Sequence, residues 1–144
     1  MTRQIAAEQQ ARSADILLRS AIESLEVGVM ISSPQGRIEL ANTRWRRNVS
    51  PAWQAEDPDW PNTIRRLWRL GAYPEWQHDE GACVAWRLSL ADTPHAVEVN
   101  FRDRWLLVRD QRLADGRVTW RPDIRTPGVA ANERRLGDLR LQCR

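Results

Sequence analysis

Apolar residues recur at helical spacing in the first part of this chain and at every second position in the last, and this change of period lays out the fold. Residues 4–13 are polar and rich in Gln and Ala, a composition that favours helix but buries little. Ala14, Leu17, Leu18, Ala21, Ile22 and Leu25 then recur on one helical face, with Ser13 placed to cap this second part. The pattern predicts a long N-terminal helix with one apolar stripe. Such a stripe must pack on its own sheet or on another copy of the chain.

Residues 27–33 (VGVMISS) read as a strand, Pro34-Gln35-Gly36 as a turn, and Ile38 and Leu40 alternate with Arg37 and Glu39 as in a half-buried strand. Together they predict a β-hairpin. Asn42 or Thr43 can cap a short helix carrying Trp45. A loop bounded by Pro51 and Pro58 leads to a second helix, with Asp59 as N-cap, Pro61 in the first turn, apolar positions at Ile64, Leu67 and Trp68, and Gly71 at its end. After a loop at 73–78, Asp79 is placed to cap a third helix whose face is Val84, Leu88 and Ala91, and Thr93-Pro94 stops it.

Period two then takes over. Val97, Val99 and Phe101 form one strand, Arg102-Asp103-Arg104 a turn, residues 105–113 a strand, Asp115-Gly116 a hairpin turn, and Val118 and Trp120 one face of a last strand. Strand-forming positions are expected at Val29, Ile31, Ile38, Leu40, Val97, Val99, Leu106, Val108, Val118 and Trp120, several of them facing the central helices. Grouped strands around a helical middle make this an α+β fold with a five-stranded antiparallel sheet, short central helices and an N-terminal flanking helix.

Several short pieces resemble the PAS family. Residues 28–42 (GVMISSPQGRIELAN) resemble the first PAS hairpin, with Gly36, Arg37, Ala41 and Asn42 at its characteristic positions. Gly71-Ala72-Tyr73-Pro74 resembles the Gly-x-Tyr-Pro element of one bacterial subgroup, and Arg104-Trp105-Leu106 with Leu113-Ala114-Asp115-Gly116 resembles its last hairpin. Asp123-Ile124 stands where the family often ends in Asp-Ile-Thr, although Arg125 follows and Thr126 comes one place late. The acidic residue often found before the first turn is replaced here by Ser32-Ser33. The division implied is a helix over 1–19, a PAS domain over 20–126, and a tail or short helix over 127–144.

That subgroup occurs mainly in bacterial sensor histidine kinases and cyclic-dinucleotide signalling proteins, where the PAS domain senses and another domain catalyses. The resemblance therefore implies a two-component-type signalling role, without catalysis in this domain. The ligand expected on this resemblance is a small molecule in the cleft between sheet and helices, or a signalling protein on the sheet face. The same resemblance allows the chain to be the isolated input segment of a larger sensor kinase or diguanylate cyclase. If a pocket exists, Trp45, Leu67, Trp86 and Phe101 are expected near it, because they come from the elements that line PAS cavities. The stripe Leu17, Leu18, Ala21, Ile22 and Leu25 predicts a homodimer through the N-terminal helix.

Composition narrows the picture. The chain has 144 residues, suited to one domain, and no apolar run long enough to span a bilayer or form a secretory signal, so a cytoplasmic location without membrane insertion is expected. Net charge is +3, all basic residues are Arg, and the acids are interspersed with them, so a nucleic-acid partner is not expected. Cys83 and Cys143 lack metal or disulfide spacing. Haem is not expected: His78 lies near where some haem-binding PAS domains carry their ligand, but neither it nor His95 has a recognisable ligand context. Flavin is not expected either, since Cys83 lies in no segment like that of the light-sensing relatives. A small α+β enzyme using Asp79 and His78 is the rival from a different class. The eight Trp residues are exceptional for this length and are expected to serve chiefly as core.

Overall fold

The computed structural model describes residues 2–122. Asp123-Ile124, Thr126, Cys143 and the expected C-terminal helix lie outside the described residues. The elements are α1 (Thr2–Glu23), β1 (Met30–Ser32), β2 (Ile38–Ala41), α2 (Thr43–Val49), α3 (Trp60–Arg69), α4 (Glu80–Ser89), β3 (Val97–Phe101), β4 (Arg104–Arg112) and β5 (Val118–Pro122). Single 3₁₀ turns follow α3 and α4, at Pro74–Trp76 and Leu90–Asp92. All five strands join one antiparallel sheet in the order β2-β1-β5-β4-β3. The fold is α+β, and its strand order is compatible with a PAS-like sheet.

Local chemistry explains the boundaries. Asp59 and Asp79 cap α3 and α4 by accepting hydrogen bonds from Asn62 N at 2.7 Å and Ala82 N at 3.0 Å. Gly71, at φ 76°, closes α3 with a Schellman pair: its N–H donates to Trp68 O and that of Ala72 to Leu67 O, both at 3.0 Å. In the first hairpin, Ser33 Oγ accepts from the backbone N–H groups of Gln35 and Arg37, the role a carboxylate plays in an Asx turn. The Arg102-Asp103 turn has both residues at positive φ, 52° and 60°, between the paired residues Phe101 and Arg104, as a two-residue hairpin demands.

Asn42 joins four parts of the molecule. Its Oδ1 caps α2 through Trp45 N and also accepts from Val29 N, both at 3.0 Å. Its Nδ2 donates to Ile22 O at 3.1 Å and Val27 O at 2.8 Å. Beside it, the Glu23 carboxylate accepts from Thr43 Oγ1 at 2.9 Å and from Thr43 N. The end of α1 is thereby fixed to the start of α2.

Four sequence expectations require correction. Ser13 caps nothing: α1 runs unbroken through it, because the residues on both sides are good helix formers and no Gly or Pro intervenes. That helix ends at Glu23, so Leu25, counted into its stripe, lies beyond its end. Val29 lies just outside β1, and the inward residues of that strand are Met30 and Ser32, so Ile31 falls on the opposite, outer face. The α1 stripe does not cover the sheet. Of its members only Ile22 is buried, while Leu17, Leu18 and Leu25 are 71%, 53% and 43% exposed and Ala21 is exposed as well. No helix among the described residues is long and apolar enough to cross a membrane.

The core lies between the helices and one sheet face. Trp45 sits at its centre, fully buried, with Trp53, Trp60 and Trp120 rings at 5.9, 5.7 and 6.3 Å. Aromatic pairs at these separations and tilts add to the area that each ring buries.

Candidate functional site

The inward row of β4 reads Arg104, Leu106, Val108, Asp110, Arg112, since alternate residues share a face. Register places Asp110 beside Trp120 of β5, which lies beside Met30 of β1. An acid therefore occupies a core position of the sheet. Its partner comes from α4, where Arg87 follows Val84 by three residues and so lies on the same buried face.

Arg87 Nη1 donates to Asp110 Oδ2 at 2.5 Å, and Nη2 approaches Oδ1 at 3.4 Å. The two side chains are 2% and 1% exposed. The guanidinium also lies over two indole rings, 5.2 Å from Trp60 and 6.0 Å from Trp120. Burial pushes the Asp110 carboxyl above its ordinary value, against the opposing pull of the Arg87 charge and hydrogen bonds. Burial acts on Arg87 in the opposite sense, yet the Asp110 charge and the polar neighbours outweigh it and hold the guanidinium protonated. Such a pair adds little net stability over apolar packing, but losing one member strands a charge in the core. It holds a fixed, oriented guanidinium inside the domain.

Arg87 forms part of the wall of a cavity of about 200 Å³ between the helices and the sheet. Val99, Phe101, Leu106 and Val108 supply its sheet side, with Trp120 from β5. Val49 and Trp60 close it from the helices. Four residues bring polar groups: Asn48, Tyr73, Arg87 and Arg104. Tyr73 meets Phe101 edge-on at 5.6 Å and Trp86 at 5.9 Å. Burial, only partly offset by Arg87, pushes its phenol up to about 12, so the hydroxyl stays protonated at neutral pH. Trp120 carries a buried indole N–H with no hydrogen-bond partner, as does Trp45.

Of the four residues expected near a pocket, Phe101 lines this cavity. Trp45 and Leu67 do not; both are wholly buried in the core behind it. Trp86 lies outward of Tyr73, stacked on Trp76 at 5.0 Å. His78 stacks in turn on Trp76 at 5.9 Å, is exposed, and stands next to an Asp79 engaged as a helix cap. Cys83 is completely buried in the core, and burial pushes its thiol up to about 11, leaving it unreactive at neutral pH. Sequence reading missed Arg87 and Asp110, and it met Tyr73 and Arg104 only as parts of the PAS-like pieces, not as site residues. The signal for the first pair was present as an Arg within an apolar helical stripe and an Asp within an apolar strand row.

The sequence matches no family model, and a search of curated proteins finds no significant match.

Proposed function

We propose that this chain is a PAS-type sensory module of bacterial signalling, acting in the cytoplasm, which binds a small molecule in the cavity between sheet and helices and relays that event through α1. Catalysis belongs, on this reading, to a separate output domain. The observation that carries it is the cavity itself: about 200 Å³, walled by aromatic and branched side chains, with a few polar groups held in place by the fold. A mostly apolar wall with a few fixed polar groups is the usual make-up of a small-molecule site, and the volume limits the ligand to one smaller than a drug-sized molecule. The hairpin and Gly-x-Tyr-Pro resemblances support the same reading.

The route outward is short. Val49, in the last turn of α2, lines the cavity, and Asn42 at the other end of α2 holds the end of α1. A ligand that favours one placement of α2 shifts the population of α1 placements with it. The exposed Leu17, Leu18 and Ala21 of α1, with Leu25 just past its end, support a homodimer through this helix, which gives such a shift something to act upon.

Thermal denaturation against a panel of small metabolites tests the binding reading. A ligand at a hundredfold excess over its Kd stabilises the folded state by about 2.7 kcal/mol, a readily measured rise in Tm. A panel that moves nothing, together with a crystal structure showing the cavity filled by side chains, would leave only the protein-partner form of the proposal.

A further inference from the structure

We infer that the cavity takes a small aromatic monocarboxylate, its ring against Trp60, Trp120 and Phe101 and its carboxylate at Arg104. The inference rests on the small-molecule reading above and adds the ligand's chemistry to it.

Size sets the first bound. A cavity of about 150 Å³ holds one benzene ring, so 200 Å³ accommodates one ring with a short substituent. The wall sets the second. Four aromatic side chains and four aliphatic ones line this space, and a planar apolar body matches them better than a sugar or polyol would.

Charge sets the third. The described residues lining the cavity include two arginines and no Asp or Glu. Arg87 is already neutralised by Asp110. Arg104 is not: its guanidinium has no ion pair or side-chain hydrogen bond among the described residues. Asp110 lies on the same face of β4 but six positions along, roughly 20 Å away at about 3.4 Å per residue, too far to compensate it. The other polar groups on the wall are rich in donors. Tyr73 keeps its proton, and Asn48 offers an amide. A wall with two guanidinium groups and no carboxylate selects a ligand that supplies acceptors, and a carboxylate supplies the most per atom. Because Arg104 is exposed, it marks the mouth, where a carboxylate keeps part of its hydration while the ring is buried.

Matched probes test this. Phenylacetate, phenylacetamide and phenethylamine share a ring and differ in the charge at its end. Titration of the full chain, followed by tryptophan fluorescence and calorimetry, is expected to show phenylacetate binding at least about tenfold tighter than phenylacetamide, with the amine weakest. Arg104→Gln is expected to remove that preference by weakening phenylacetate at least about tenfold more than the amide; Arg104→Ala, with circular dichroism verifying the fold, repeats the comparison. Equal binding of carboxylate and amide, or an equal loss of both in the Arg104 variants, would overturn the carboxylate assignment and leave small-molecule binding intact. Binding of none of the three would overturn the assignment, and the metabolite panel then decides separately whether small-molecule binding survives.

Discussion

A single amide carries the junction between the flanking helix and the domain. Asn42 satisfies two backbone N–H groups and two carbonyls, and it is almost completely buried, so no shorter side chain can replace it. Asn42→Ala removes a helix cap and leaves these groups without partners, an expected loss of about 2–4 kcal/mol in urea denaturation. A loss under about 0.5 kcal/mol would show that the junction is held otherwise. Two other residues give the protein a pH limit. The Cys83 thiol rises from 9.0 to about 11 in the folded state, and the Tyr73 phenol from 10.0 to about 12. Above pH 9 the unfolded chain therefore sheds protons that the folded chain retains, so stability falls as pH rises from 9 toward 12. Chemical denaturation at stepped pH is expected to show this decline, with its earlier part, between pH 9 and 11, reduced in Cys83→Ala.

At the scale of elements, α4 and β4 are joined by the Arg87–Asp110 pair, and the energetics of such pairs make a sharp expectation. Asp110→Asn or Arg87→Met alone strands its partner in the core and is expected to cost about 3–5 kcal/mol. The double variant Arg87→Met, Asp110→Leu is expected to recover most of that loss, since apolar packing replaces the pair. Additive losses in the double-mutant cycle would mean that the two groups are not coupled. This pair also shows where the sequence was legible. Turns and caps depend on a few adjacent residues, so Asp59, Asp79, Gly71 and the Asp115-Gly116 turn could be placed directly. Arg87 lies between Val84 and Leu88 on the very stripe read as the helix face, and Asp110 continues the Leu106–Val108 row. Each looks like a solvent-facing charge until the two elements are docked, because the pairing spans 23 residues of sequence. The cavity was legible only in part for the same reason: a void is what remains after packing, and Phe101 alone among the expected residues borders it.

At the scale of the whole molecule, α1 is an anchored but uncovered helix. Its end is fixed by Asn42 and Glu23, while Ile16, Leu17 and Leu18 are 65%, 71% and 53% exposed. The apolar stripe was visible in the sequence; that the domain does not cover it became visible only once the chain was folded. Homodimerisation through this face is the expected outcome, measured by light scattering across concentration. Leu18→Glu places an uncompensated charge in that contact and is expected to shift the population to monomer with the sheet intact. A wild-type monomer at high micromolar concentration would contradict the dimer. Binding of a small ligand in the cavity between helices and sheet is tested by filling that cavity. Val99→Trp puts a large ring into the space without altering a charge. With a panel ligand that binds the wild-type chain at one saturable site, calorimetry on a folded Val99→Trp protein is expected to show binding abolished. Undiminished affinity in that variant would place the ligand elsewhere and contradict the account.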